Sequence, residues 1–91
     1  MVTKYLWNAE KNDLLIRQRG LSFDMVLEAI DAGNLLDDIP HPDVSRYPNQ
    51  RMLQIEIKGY ACAVPYVADG EVRFLKTIYP SRRVKRLHSG E

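Results

Sequence analysis

The chain has 91 residues, 45% hydrophobic and 27% charged, a composition typical of a globular domain and not of a disordered or fibrous chain. So short a chain has room for one core, so residues 1–91 are interpreted as one domain, and no apolar run approaches the roughly 20 residues that span a bilayer. The net charge of +1 conceals an asymmetry: residues 1–45 carry −4 (four Lys and Arg against eight Asp and Glu) and residues 46–91 carry +5 (nine against four). An acidic partner, such as nucleic acid or an acidic protein segment, is expected for the second half.

The first half predicts a strand followed by two helices. Val2–Trp7 alternates and is rich in strand-forming residues. Asn8 can cap a first helix that ends near Arg19. Ser22 can cap a second helix that ends before Gly33. One apolar stripe recurs at helical spacing in that second helix and is assigned to the core: Phe23, Val26, Leu27 and Ile30.

The second half predicts an antiparallel meander. Leu35–Ile39 is interpreted as a brief edge strand, because the prolines that follow disfavour a regular ladder and favour a loop over Pro40–Gln50. Three strand-like runs come next, separated by the turn dipeptides Lys58-Gly59 and Asp69-Gly70. These runs are residues 51–57, 60–67 and 71–79, and the middle one, apolar on both faces, is expected at the centre of the sheet.

A basic run follows the last strand. Pro80 is expected to stop the ladder, and Ser81 to cap a short helix through Leu87. The predicted fold class is therefore α+β: β-α-α, then a three- to four-stranded antiparallel meander and a short C-terminal helix, with the helices on one face of the sheet. In this predicted helix, cations lie three or four residues apart and also occupy the first turn, and both placements lower helix stability. Because the placement is unfavourable for stability, we expect these cations to bind a polyanion. An unstructured basic tail is the alternative.

The remaining reactive groups are few. Cys62 is the single cysteine and stands in an apolar run, so a buried structural thiol is expected. No export segment is apparent at the N-terminus, so we expect a cytoplasmic protein. His41 and His88 are the only histidines, and no phosphate-binding loop or metal motif accompanies them. No cofactor is expected, and a metal site is disfavoured because it would need carboxylates from Asp37, Asp38 or Asp43.

Three motifs together resemble the BrnT family of ribonuclease toxins, which belong to type II toxin–antitoxin modules and share the RelE-like fold. The first is the aromatic-x-Trp-polar-x-x-Lys opening of Tyr5–Lys11. The second is the segment Arg19–Asp24, which reads basic, Gly, aliphatic, Ser, Phe, acid. The third is the late strand running into Ser-Arg-Arg over Thr77–Arg83. They occur in the family's order and cover most of the chain.

The resemblance implies metal-independent RNA cleavage, in which the ribose 2′-hydroxyl attacks the neighbouring phosphate. Such chemistry needs cations to hold the phosphate and groups that move protons. Arg51 and Arg82 are expected to stabilise the phosphate and the transition state. Lys76 is expected to position the RNA backbone and, by strand alternation, to face the inner side of the sheet. Tyr79 or His41 is the candidate for proton transfer.

The resemblance also implies partners. Further RNA contacts are expected from Arg46, Arg83, Lys85 and Arg86. A cognate antitoxin would bind the toxin, and operator DNA would be contacted only through that antitoxin. A regulator that binds DNA by itself is disfavoured, because the second predicted helix is acidic and does not form a basic recognition helix.

Two departures from the family pattern keep an alternative open. Gln18-Arg19-Gly20 stands where the family usually has Lys-His-Gly, and Asn49-Gln50 replaces the acid expected before Arg51. A missing acid or base is compatible with a non-catalytic RNA- or protein-binding module on the same fold. The sequence therefore supports two hypotheses, a ribonuclease toxin and a binding module.

Overall fold

The computed structural model describes residues 3–82, which form two helices and one six-stranded mixed sheet. The α+β class is therefore confirmed. The elements in chain order are β1 (Lys4–Trp7), α1 (Ala9–Arg19), α2 (Phe23–Asp31), β2 (Leu35–Pro40), β3 (Gln50–Ile57), β4 (Tyr60–Asp69), β5 (Val72–Leu75) and β6 (Tyr79–Pro80).

Both helices begin and end where the sequence predicts. The Asn8 side chain accepts a hydrogen bond from the Lys11 N–H at 2.9 Å, and the Ser22 hydroxyl accepts one from the Met25 N–H at 3.3 Å. Each cap satisfies one of the backbone donors that a helix leaves unpaired at its start. Gly20 ends α1 with a φ of 66°, a left-handed conformation in which glycine meets no steric penalty.

The sheet has the strand order β1-β5-β4-β3-β2, and β6 pairs with β4. Strands β2 to β5 form the predicted antiparallel meander, with four strands, and β4 lies at its centre. The sequence did not predict the pairing of β1, which is parallel to β5 from Lys4 opposite Val72 to Trp7 opposite Leu75. A parallel pair needs a long connection, and this one contains both helices and most of the meander.

Three details of the second half were predicted wrongly. β2 continues into Pro40, which is tolerated because an edge strand leaves one row of backbone N–H groups without a partner in the sheet. β5 ends at Leu75, and residues 76–78 connect it to β6. Pro80 does not stop the ladder but pairs with Cys62 as part of β6.

The core lies on one face of the sheet, which we call the helix-side face. Leu53, Ile55 and Val64 on this face are fully buried against Phe23 and Val26 of α2. Side chains directly opposite each other in neighbouring strands, or two residues apart in one strand, share a face. The predicted buried thiol is confirmed, because Cys62 is 0% exposed on this face, and burial raises its pKa.

Candidate functional site

Five polar and aromatic side chains occupy one end of the helix-side face. We call them the polar cluster: Tyr5, Asp38, Arg51, Tyr66 and Arg73. The strand register brings them together, since Arg51 lies opposite Tyr66 and Arg73 lies opposite Tyr5. Asp38 lies opposite Leu53, two residues along β3 from Arg51, and so shares their face. Five strands, β1 to β5, thus contribute one side chain each to the site.

The Asp38 carboxylate is the centre of the polar cluster. The Tyr66 hydroxyl donates to both of its oxygens, at 2.8 and 2.7 Å. Arg51 donates from Nε to Oδ1 at 3.1 Å and from Nη2 to the Asp38 backbone carbonyl at 3.0 Å. Arg73 approaches the other carboxylate oxygen, with Nη1 at 3.8 Å from Oδ2. Two cations therefore converge on one anion, which leaves the group with an excess positive charge.

Tyrosine rings hold the Arg73 guanidinium in place. Its Cζ lies 5.4 Å from the ring centroid of Tyr66 and 5.9 Å from that of Tyr5. Its Nη1 also donates to the Tyr5 hydroxyl at 3.4 Å. Cation–π attraction and this hydrogen bond fix the cation without neutralising its charge.

Two groups that contact Asp38 have raised pKa values. Burial, reinforced by the hydrogen bond to Asp38, raises the pKa of Tyr66 to about 12. The hydrogen bond to Asp38 also raises the pKa of Arg51. Tyr66 and Arg51 therefore keep their protons at neutral pH. The Asp38 carboxylate is the one acidic side chain of the cluster, and its oxygens accept hydrogen bonds from Tyr66 and Arg51.

Exposure separates the groups that a ligand can reach from the group that supports them. The side chains of Arg51, Arg73 and Asp38 are 38%, 32% and 25% exposed. Tyr66 is 1% exposed and packs with the apolar core. An incoming anion can thus contact the two arginines, while the buried Tyr66 hydroxyl holds the Asp38 carboxylate from the core side.

Of the predicted catalytic residues, Arg51 is the one found in the polar cluster. Arg82 is exposed and lies at the opposite end of β4. Its neighbour Ser81 donates its N–H to the carbonyl of Ala61, near the start of β4, at 2.9 Å. Arg51 instead pairs with Tyr66, further along β4. Those two β4 positions are about 17 Å apart at the strand rise of about 3.3 Å per residue. The structure therefore does not bring the backbones of Arg51 and Arg82 together.

Lys76 and Tyr79 also lie away from the cluster. The predicted inward direction of Lys76 is wrong: Leu75 is the buried residue, and Lys76 is exposed, its Nζ 5.1 Å from the Phe74 ring centroid. The regular alternation on which the prediction relied ends with β5 at Leu75. Tyr79 is half-buried and pairs with Ala63, so its strand position belongs to the face opposite the helices.

His41 and Arg46 lie in the loop between β2 and β3, at the same end of the sheet as the polar cluster. The His41 ring packs on Tyr47 with a centroid distance of 4.6 Å, and its Nδ1 accepts a hydrogen bond from the Asp43 N–H at 2.9 Å. Arg46 is exposed. The predicted contacts of Arg83, Lys85 and Arg86, and most of the predicted C-terminal helix, lie outside the described residues.

Sequence reasoning missed four members of the polar cluster. Asp38 was considered only as a metal ligand, and Tyr5, Tyr66 and Arg73 were not considered as site residues. One signal was available for Tyr66, since alternation from Cys62 through Val64 puts it on the inner face at the end of an apolar strand. Arg73 and Tyr5 could not be placed without the parallel pairing of β1 with β5.

No group of three or more His, Cys, Asp or Glu side chains that could hold a metal ion occurs among residues 3–82. Over the same residues, neither helix has the length and apolar character needed to cross a membrane. Comparison with protein-family models, curated proteins and solved structures found no match to the chain.

Proposed function

We propose that the chain is the toxin of a type II toxin–antitoxin module, an endoribonuclease with a RelE-like fold that cleaves RNA at the polar cluster and thereby inhibits translation. One observation carries the proposal. Arg51 and Arg73 converge on the Asp38 carboxylate at an exposed end of the sheet, with distances of 3.1 and 3.8 Å. This arrangement combines two cations for a phosphate with a carboxylate that can accept a proton.

The arginines supply the electrostatic part of the reaction. A phosphodiester carries one negative charge, and more charge develops on its oxygens when a hydroxyl attacks the phosphorus. Arginine binds phosphate through a planar set of N–H donors, and two guanidiniums can contact different oxygens of one group. Tyr5 and Tyr66 keep the guanidinium of Arg73 oriented before RNA arrives.

Asp38 supplies the proton acceptor that Tyr79 and His41 were expected to provide. In the proposed step, the carboxylate takes the proton of the ribose 2′-hydroxyl as the 2′-oxygen bonds to phosphorus. The bond from phosphorus to the 5′-oxygen then breaks, and this oxygen takes a proton from water. The hydroxide left by that water removes the proton from Asp38, which restores the carboxylate. The products are a 2′,3′-cyclic phosphate and a 5′-hydroxyl. Tyr66 is a positioning residue, because its hydroxyl fixes both carboxylate oxygens from the buried side.

The proposed ribonuclease function also implies binding partners. The net charge of +5 over residues 46–91 supports binding of RNA, and Arg82 contributes to this attraction from its exposed position. A cognate antitoxin would silence the toxin in the cytoplasm and would carry any contact with operator DNA.

Cleavage of a single-stranded RNA pool by purified protein tests the proposal, with the products analysed for 2′,3′-cyclic phosphate ends in the presence of EDTA. We expect cleavage by the wild type and a loss of about 10²- to 10³-fold for Arg51→Ala and Asp38→Asn, the range for removing one transition-state contact. Arg17→Ala, which changes an exposed arginine on α1, is the matched control and should cleave normally.

Two results would count against cleavage at this site. Equal rates for Arg51→Ala, Asp38→Asn and the wild type would remove the polar cluster from the reaction. RNA that is bound but left intact by folded wild-type protein would favour the alternative, a non-catalytic binding module. The Arg51–Asp38 ion pair is the observation that supports this alternative, because an ion pair can have a structural role without any role in catalysis.

A further inference from the structure

The loop between β2 and β3, residues 41–49, presents an aromatic pair outside the apolar core. The rings of His41 and Tyr47 lie 4.6 Å apart with an interplanar angle of 49°. The Arg46 guanidinium lies over the Tyr47 ring, with its Cζ 5.9 Å from the ring centroid. Tyr47 is 37% exposed, and neither ring belongs to the hydrophobic core cluster. The fold of the core therefore does not account for the pair.

Asp43 holds this loop in one conformation. Its carbonyl accepts hydrogen bonds from the N–H groups of Arg46 and Tyr47, at 3.2 and 2.9 Å. Its carboxylate accepts from the Ser45 hydroxyl at 3.0 Å and from the Arg46 N–H at 3.3 Å, while its own N–H donates to His41 Nδ1 at 2.9 Å. The aromatic pair is thus preorganised, which lowers the entropic cost of binding a ligand on it.

The loop also adjoins the polar cluster along the chain. The Gln50 N–H donates to the Tyr47 carbonyl at 3.2 Å, and the His41 N–H donates to the Gln50 carbonyl at 3.0 Å. The next residue is Arg51. The aromatic pair and the Arg46 cation therefore lie next to the polar cluster, which is the proposed binding site of the RNA phosphate.

We propose that Tyr47, supported by His41 and flanked by Arg46, is a nucleobase-stacking subsite that holds one base of the RNA bound at the polar cluster. The identification of RNA as ligand rests on the proposed function. Unpaired RNA bases are recognised by stacking on aromatic rings and guanidinium planes, and the backbone is held by cations nearby. The loop supplies the stacking group, and Arg51 and Arg73 supply the cations.

Binding of a short single-stranded RNA with 2′-O-methyl riboses tests the subsite, because this RNA has no free 2′-hydroxyl and cannot be cleaved. We expect Tyr47→Ala to bind about 5- to 150-fold more weakly by fluorescence anisotropy, the range for one base–aromatic stack. Tyr47→Phe keeps the ring and should bind like the wild type. Tyr60→Ala removes a tyrosine that is 67% exposed at the other end of β3 and β4 and should also bind normally.

A second readout reports stacking itself. 2-Aminopurine in the RNA should be quenched by the wild type and by Tyr47→Phe but not by Tyr47→Ala. Unchanged affinity and quenching in Tyr47→Ala would overturn the subsite even if the protein cleaves RNA through the polar cluster. Failure of the wild type to bind RNA would overturn it as well. Tyr47-dependent binding without cleavage of ordinary RNA would uphold the subsite and refute the ribonuclease proposal.

Discussion

The two ends of the helix-side face are built from the same strands but differ in chemistry. At one end Leu53, Ile55 and Val64 are fully buried under the helices. At the other end the same alternation presents Arg51 on β3 and Tyr66 on β4. Alternation along a strand decides which face of the sheet a side chain occupies. Only the strand register and the helix packing decide which end of that face is shielded from solvent. A polar site can therefore continue directly from an apolar core.

The polar end also joins the two charge halves of the chain. Asp38 comes from the acidic first half, and Arg51 and Arg73 come from the basic second half. Part of the positive charge of the second half is thus neutralised by a carboxylate of the first half, inside the domain, and not by a partner. The excess positive charge that remains after this pairing is the part available to an anionic ligand.

The largest expected effect comes from the apolar end. Phe23 is 0% exposed and stacks on Trp7 with ring centroids 5.6 Å apart, so Phe23→Ala should lower the free energy of unfolding by about 3–5 kcal/mol. Urea denaturation measures this loss. Leu6→Ala, at a site on β1 that is 45% exposed, is the control and should change stability far less. Similar losses for the two variants would refute a core centred on the helix side.

Alkaline pH should weaken the polar end selectively. Tyr66 has a pKa of about 12 in the folded protein against 10.0 for an ordinary tyrosine, so the unfolded chain ionises first as pH rises. The contribution of this protonated hydroxyl to the free energy of unfolding is complete below pH 10 and is lost as the pH rises through 12. The loss amounts to about 2 kcal/mol at pH 12. Urea denaturation from pH 9 to 12 should show a steeper fall for the wild type than for Tyr66→Phe. Parallel curves would contradict the buried hydroxyl.

At pH 7 the same hydroxyl contributes through its hydrogen bond. Tyr66→Phe removes a donor to a carboxylate that Arg51 still contacts, so a loss of about 1.5 kcal/mol in the free energy of unfolding is expected. Tyr60→Phe removes a hydroxyl from a residue that is 67% exposed and should change stability by less than about 0.5 kcal/mol. An equal effect of the two substitutions would mean that Tyr66 does not anchor Asp38.

The sequence was sufficient for elements whose signals are local. The caps Asn8 and Ser22, and the turn at Lys58-Gly59, depend on residues a few positions apart, and all three were predicted. The polar cluster depends on contacts between residues as far apart as Tyr5 and Arg73, and these require the parallel β1–β5 pair. Arg51 was named because the resemblance to the BrnT family implies an arginine where the chain enters the meander. Asp38 and Tyr66 were not, because their roles exist only once β2, β3 and β4 are side by side.

The smallest effect on stability is expected at the C-terminal end of the described chain, where Arg82 is exposed. Arg82→Ala should change the free energy of unfolding by no more than about 0.5 kcal/mol. If Arg82 contacts one phosphate, its removal should also reduce the dependence of log RNA affinity on log salt by about 0.7. Cleavage at saturating RNA should be unchanged, because Arg82 lies at the other end of β4 from Arg51. A loss of cleavage rate as large as that of Arg51→Ala would instead place Arg82 at the reacting phosphate, which requires the two ends of β4 to act on one nucleotide.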